Sequence, residues 1–120
     1  MFWEETKMAE ETIAFQTSEK NGWTLWSVNG RLDRLTAQDA GEKADNVFAA
    51  AQKLAVDMSG LEYLSSAGIR VLLRLTKQAK TEGKEFALVA PSGMVKVVLA
   101  ESRMDMFAEI YASADELPLY

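Results

Sequence analysis

The sequence predicts an α/β domain built on a mixed central sheet of about five strands with helices packed on it. Three observations carry this. Two strand-like segments at the start are separated by a turn signal, Lys20-Asn21-Gly22. After them, short apolar runs alternate with helical patterns. The chain has 120 residues, 48% hydrophobic and 26% charged, which suits one globular core. No linker, repeat or low-complexity tract divides it, so one domain is expected over residues 1–120, with its core at about 12–113.

The elements follow in order. Thr12 to Thr17 (TIAFQT) alternates apolar and polar residues, as a half-buried strand does. Trp23 to Leu32 (WTLWSVNGRL) reads as the second strand of a hairpin. Trp23 and Trp26 point to opposite faces of it, so one indole is expected in the core and the other is a candidate for an exposed contact surface. Thr36, with Asp39 three residues on, has the spacing of an approximate capping box. Behind it Ala37, Ala40, Gly41, Ala44, Val47, Phe48 and Ala51 form a narrow helical stripe of mostly small residues, fit for close packing. Leu54 to Met58 (LAVDM) is a buried strand stopped by Ser59-Gly60, and its Asp57 is expected to be structural. A second helix opens near Ser66, with Ile69, Leu72, Leu73 and Thr76 inside, Arg70, Arg74, Lys77 and Lys80 outside, and Gly83 at its end. Phe86 to Ala90 is a strand ended by Pro91; Ser92 can cap a third helix running to about Ser102, and Phe107 to Tyr111 is the last strand. Right-handed crossovers would place these helices on the faces of the sheet.

Composition removes several function classes. There is no cysteine and no histidine. Disulfide scaffolds are impossible, the usual zinc sites lose their usual ligands, and a Ser-His-Asp or Cys-His hydrolase cannot be assembled from this chain alone. No metal or cofactor is implied. A net charge of −5 argues against a broad basic surface for nucleic acid. The first residues, MFWEETKMAEE, are acidic where a signal peptide is basic, and no stretch approaches the roughly 20 apolar residues of a membrane span. Neither direct nucleic-acid binding nor membrane association is expected, and the cytoplasm is the expected location.

Three motifs then carry a resemblance. The segment NGRLDRLTA (Asn29 to Ala37), the segment LAVDMSGLEYLSSAGIRVLL (Leu54 to Leu73) and the stretch from GKEFALVAPSGMVKVVL (Gly83 to Leu99) to MDMFAEIYAS (Met104 to Ser113) together resemble the STAS domain family, which includes the bacterial anti-sigma factor antagonists. The resemblance spans nearly the whole chain. It implies a non-enzymatic switch. A serine or threonine opening the second long helix is phosphorylated by a partner serine kinase, the anti-sigma factor; the unphosphorylated antagonist binds that partner and frees the sigma factor, and a PP2C-type phosphatase restores the modified form. By position the receiving hydroxyl is Ser66, with Ser65 as the alternative. The partner-binding set carried over by resemblance is Asp33, Arg34, Thr36, Ser65, Ser66, Gly68, Arg70 and Arg74. The chain departs from the family in three places: Ser65 stands where an acid is frequent, Ala67 where a second hydroxyl is frequent, and Arg103-Met104-Asp105 where Gly-Leu-Asp is usual.

Each of these residues also has a plainer reading. Ser66 would serve as an N-cap worth ~1 kcal/mol. Asp33 would bond local backbone N–H groups. Gly68 would mark tight packing, since glycine in a helix costs stability relative to alanine. The four basic residues of the second helix would form a solvated face. Two other functions remain: a STAS scaffold or ligand-sensing module that is never phosphorylated, and, last, an enzyme using Ser66 as nucleophile with a Lys or carboxylate base.

Overall fold

The computed structural model describes residues 13–119. The acidic N-terminal stretch and the strand start expected at Thr12 lie outside the described residues. The chain forms β1 (Ile13–Lys20), β2 (Trp23–Leu32), α1 (Ala37–Ala50), β3 (Lys53–Asp57), β4 (Leu61–Leu64), α2 (Ser66–Glu82), β5 (Glu85–Val89), α3 (Gly93–Glu101) and β6 (Glu109–Tyr111), with single 3₁₀ turns at Met104–Met106 and Ala114–Glu116.

The hairpin forms as its turn chemistry requires. Asn21 and Gly22 both take positive φ, 56° and 87°, which is the twist a two-residue hairpin connection needs. Strand β1 therefore pairs β2 antiparallel from Lys20 beside Trp23 to Ile13 beside Gly30. The remaining pairings are parallel, giving the order β1-β2-β3-β5-β6.

A sixth strand corrects the expected count of about five. Strand β3 pairs with Thr24–Ser27 of β2, and β4 takes up the pairing further along, at Gly30–Leu32. The two lie in tandem along one edge of β2, joined by a turn in which the Leu61 N–H donates to the Met58 carbonyl at 3.1 Å. Gly60 lets this turn close on β2: a Cβ there would stand 1.8 Å from Asn29 Oδ1. The four-residue LEYL segment takes its strand character from its pairing with β2 and not from its own length or pattern, and no strand is expected there from the sequence.

The helices do not divide between the faces. Side chains from α1 (Ala40, Ala44, Phe48), α2 (Ile69, Leu72, Leu75, Ala79) and α3 (Val95, Leu99) share one core with Trp26, Val28, Leu32, Leu54, Val56 and Leu88. The crossovers from β2 through β3 and β5 to β6 all advance in the same direction, and right-handed crossovers that keep one direction keep one face. Leu73 is only half-buried, and Leu75 and Ala79 replace it on the inner face of α2.

The other face carries Trp23, Ala55, Ala87 and Val89, packed under Leu117 of the C-terminal segment. That segment is tied down by the Trp23 indole N–H donating to the Pro118 carbonyl at 3.0 Å, by Asn21 Nδ2 donating to the Leu117 carbonyl at 2.9 Å, and by a 2.8 Å Lys20–Asp115 ion pair. The hydrogen bond from Lys20 holds the Asp115 carboxyl below the usual carboxylate range. Both indoles are consequently buried, and the expected exposed tryptophan is absent from β2: Trp23 is 3% exposed.

The last strand is shorter than expected, Glu109–Tyr111, because Phe107 ends a 3₁₀ turn and stays half-exposed. Arg103, at the position where the resemblance implies a glycine, holds the left-handed conformation (φ 60°, ψ 35°). The turn survives the substitution, at the strain a side chain incurs in that region.

Candidate functional site

The site lies where β2 and β4 end and α1 and α2 begin. Parallel pairing of β2 with β4 brings Leu32 beside Leu64, so the two helix entries leave the sheet side by side.

At the start of α2, Ser65 and not Ser66 occupies the cap position, in extended conformation (φ −101°, ψ 177°). Its N–H donates to the Leu32 carbonyl at 3.0 Å, and its carbonyl accepts from the Ile69 N–H at 3.0 Å. The Ser65 hydroxyl makes no capping bond; its Oγ is buried without a partner among the described residues. Ser66 is the first helical residue and is exposed. The two hydroxyls therefore differ in access: a second protein can reach Ser66, while Ser65 Oγ is shielded.

Gly68 lets α2 start this close to β2. A Cβ at this position would stand 2.6 Å from Leu64 Cδ1, 2.8 Å from Leu32 Cγ and 3.0 Å from the Leu32 carbonyl oxygen. Its packing role is thus geometric, and being buried it offers a partner no surface of its own.

At the start of α1 the expected capping box does not form. The Thr36 hydroxyl turns backward, accepting from the Asp33 N–H at 2.9 Å and donating to the Arg31 carbonyl at 2.8 Å. Asp33 performs the capping instead. Its Oδ1 accepts from the N–H groups of Leu35 (2.9 Å) and Thr36 (3.2 Å), and its Oδ2 lies 3.5 Å from Arg31 Nε. Asp39 is left exposed on the helix. Thr36 is 3% exposed, so it shapes the loop from beneath. Asp33→Ala removes the acceptor for two N–H groups and is expected to lower stability by about 1–2 kcal/mol in denaturant unfolding, with Asp33→Asn losing less because its amide oxygen still accepts.

This lock raises a residue that sequence reasoning passed over. Leu35 is 78% exposed at the crest of the Asp33–Thr36 turn. A lone exposed leucine is ordinary; the signal that places this one in the site is its position inside an Asp-x-x-Thr loop, which only the hydrogen bonds reveal.

Between α1 and α2 runs a groove of about 560 Å³ lined by Arg34, Ala37, Gln38, Gly41, Glu42, Asp45, Ala67, Arg70, Val71 and Arg74. The basic residues of α2 separate here. Arg74 is engaged: Nη1 donates to Asp45 Oδ1 at 2.7 Å and Nη2 to the Gly41 carbonyl at 3.3 Å. Gly41 gives it room, since a Cβ there would stand 3.0 Å from Nη2. Arg70 and Arg34, at the Ser66 end, are exposed and have no ion-pair partner among the described residues. Lys77 lies outside the groove, on exposed surface further along α2.

Asp57 is structural as expected, accepting from the Ser27 hydroxyl at 2.8 Å and the Ser59 N–H at 3.0 Å. Among the described residues no three His, Cys, Asp or Glu side chains cluster as metal ligands, and no helix is long and apolar enough to cross a membrane.

Comparison with known proteins decides the family. Residues 14–117 match the STAS domain. The chain belongs to the STAS domain family. The anti-sigma-F factor antagonist RsfB of Mycobacterium tuberculosis is 27% identical to this STAS domain over 89 residues, covering 73% of this chain and 72% of RsfB. An anti-sigma factor antagonist from Mycobacterium paratuberculosis superposes with a TM-score of 0.79 at 23% identity, over 88% of this chain and 91% of the other. SpoIIAA, a Bacillus cell fate determinant solved in its phosphorylated form, superposes with a TM-score of 0.61 at 17% identity, over 81% and 90% of the two chains. The likeness in structure shares the mixed sheet and its helices with these proteins, so the six-stranded arrangement is the family's fold.

Proposed function

We propose that this chain is an anti-sigma factor antagonist switched by phosphorylation of Ser66. Unphosphorylated, it binds an anti-sigma factor that is also a serine kinase, and so releases a sigma factor for transcription. The kinase transfers the γ-phosphoryl of ATP to Ser66 Oγ; the hydroxyl proton leaves, ADP departs, and the contact is lost. A PP2C-type phosphatase hydrolyses the ester and restores the binding form. The chain acts in the cytoplasm and needs no cofactor or catalysis of its own.

The observation that carries this reading is the exposed Ser66 at the head of α2, next in sequence to Ala67 of the groove that Arg34 and Arg70 also line, two arginines without an ion-pair partner among the described residues. The sequence similarity to RsfB and the match of residues 14–117 to the STAS domain support it. A phosphate adds about −1.5 to −2 charges at this point. The helix N-terminus accommodates negative charge, so the fold tolerates the modification and the effect falls on the partner contact.

Incubation with the cognate kinase and ATP, followed by mass spectrometric mapping, is expected to place one phosphate on Ser66, absent in Ser66→Ala. No label on Ser66, under conditions that label an established antagonist, would overturn the switch and leave the unphosphorylated scaffold or ligand-sensing module. Label on Ser65 would equally overturn the assignment, because its Oγ is shielded in this fold.

A further inference from the structure

The chain has five arginines, Arg31, Arg34, Arg70, Arg74 and Arg103, and they are not treated alike. Three lie within 4 Å of a carboxylate: Arg31 at 3.5 Å from Asp33, Arg74 at 2.7 Å from Asp45 and Arg103 at 3.9 Å from Asp105. The two without such a partner among the described residues, Arg34 and Arg70, line the same groove. They approach it from different elements. Arg34 comes from the β2–α1 loop, whose backbone is pinned by the Asp33–Thr36 hydrogen bonds. Arg70 comes from α2, one turn after Ser66, and i,i+4 neighbours on a helix stand about 5–6 Å apart at Cβ.

We propose that Arg34 and Arg70 are an internal receptor for the phosphate carried by Ser66. This rests on Ser66 being the modified residue. A guanidinium presents a planar fork of donors that matches phosphate oxygens, and charge-assisted bonds of that kind are about twice as strong as neutral ones. Arg74, one turn further, is drawn onto Asp45 and the Gly41 carbonyl, whereas Arg70 has no carboxylate partner among the described residues and so remains available to a phosphate. It also changes what the switch does. In the unphosphorylated form two exposed cations stand at the groove mouth, open to carboxylates of a partner. Once attached, the phosphate engages both, and its charge of about −1.5 to −2 offsets the two positive charges that the contact surface otherwise presents.

The test uses the full chain made by semisynthesis with phosphoserine at 66, which needs no kinase and therefore stands apart from the labelling experiment. The ³¹P shift is followed against pH at low salt, where exposed charges are least screened. The phosphoserine midpoint is expected below the ordinary value of about 6, because cations favour the dianion. Arg70→Ala and Arg34→Ala are each expected to raise it, by about half a unit or more. Lys77→Ala, on the same helix but outside the groove, is expected to leave it unchanged. A wild-type midpoint at about 6 would overturn the receptor. So would a lowered midpoint indifferent to both arginine substitutions, which would assign the shift to the helix terminus alone.

Discussion

Gly68→Val is expected to destabilise the fold by about 3 kcal/mol, at the upper end of overpacking effects. Two opposing terms decide the sign. Helix propensity favours the change, since glycine is the poorest helix residue after proline, but valine recovers only a few tenths of a kcal/mol. Sterics oppose it more strongly. The new Cβ would meet Leu64 Cδ1 at 2.6 Å, Leu32 Cγ at 2.8 Å and the Leu32 carbonyl oxygen at 3.0 Å, before the two γ-methyls are placed. Leu32 and Leu64 are 3% and 2% exposed, so neither has free space to retreat into. The carbonyl is fixed as well, because it accepts the Ser65 N–H and so ties α2 to β2. Relief must come from moving the head of α2 outward, which breaks that bond. Urea unfolding measures the loss, and amide exchange at Ser65 should accelerate beyond the global change. A loss under about 1 kcal/mol would show that α2 is not held against β2 by this contact. Gly68→Ala should fall between the two, with its propensity gain offsetting part of the clash.

Gly68 also shows how far the sequence could be read. Its role as a packing glycine was legible, since a glycine in a helix's first turn costs stability relative to alanine and demands a reason. So were the hairpin, from Asn21-Gly22, and the end of α2 at Gly83, which takes the left-handed conformation. These features depend on local chemistry. What escaped depends on partners distant in the sequence. Strand β4 is four residues whose extended form comes from β2. Trp23 became a core residue because Leu117 and Pro118 return to cover it from more than ninety positions away. Thr36 has the spacing of a cap, yet the Arg31 carbonyl lies nearer to its hydroxyl's use than the helix does. In the site, the residue types were legible and their states were not. Nothing in the order Arg70, Arg74, Lys77, Lys80 tells that Arg74 is bound to Asp45 while Arg70 has no ion-pair partner among the described residues.

If the proposed switch holds, Ser66→Asp is expected to weaken binding to the anti-sigma factor kinase by about a hundredfold, since a like charge placed against carboxylates of the partner costs several kcal/mol. Stability should not fall with it. A carboxylate in the first helical turn is favourable by about 0.3–1 kcal/mol, and Ser66 gives up no described hydrogen bond of its side chain. Binding and folding should therefore separate: calorimetric titration falls while the melting temperature holds or rises slightly. Ser66→Ala should keep both and lose only the label. The aspartate is a weaker mimic than the ester itself, for a physical reason. It carries one charge in place of about two, on a shorter arm, and presents two oxygens where the phosphate presents three. It therefore engages Arg70 incompletely and leaves cations at the groove mouth that a phosphate would occupy. Adding Arg70→Ala to Ser66→Asp should thus weaken binding further. If Ser66→Asp bound the anti-sigma factor as tightly as the wild type, charge at the head of α2 would not be the signal, and the contact would have to lie elsewhere on the domain.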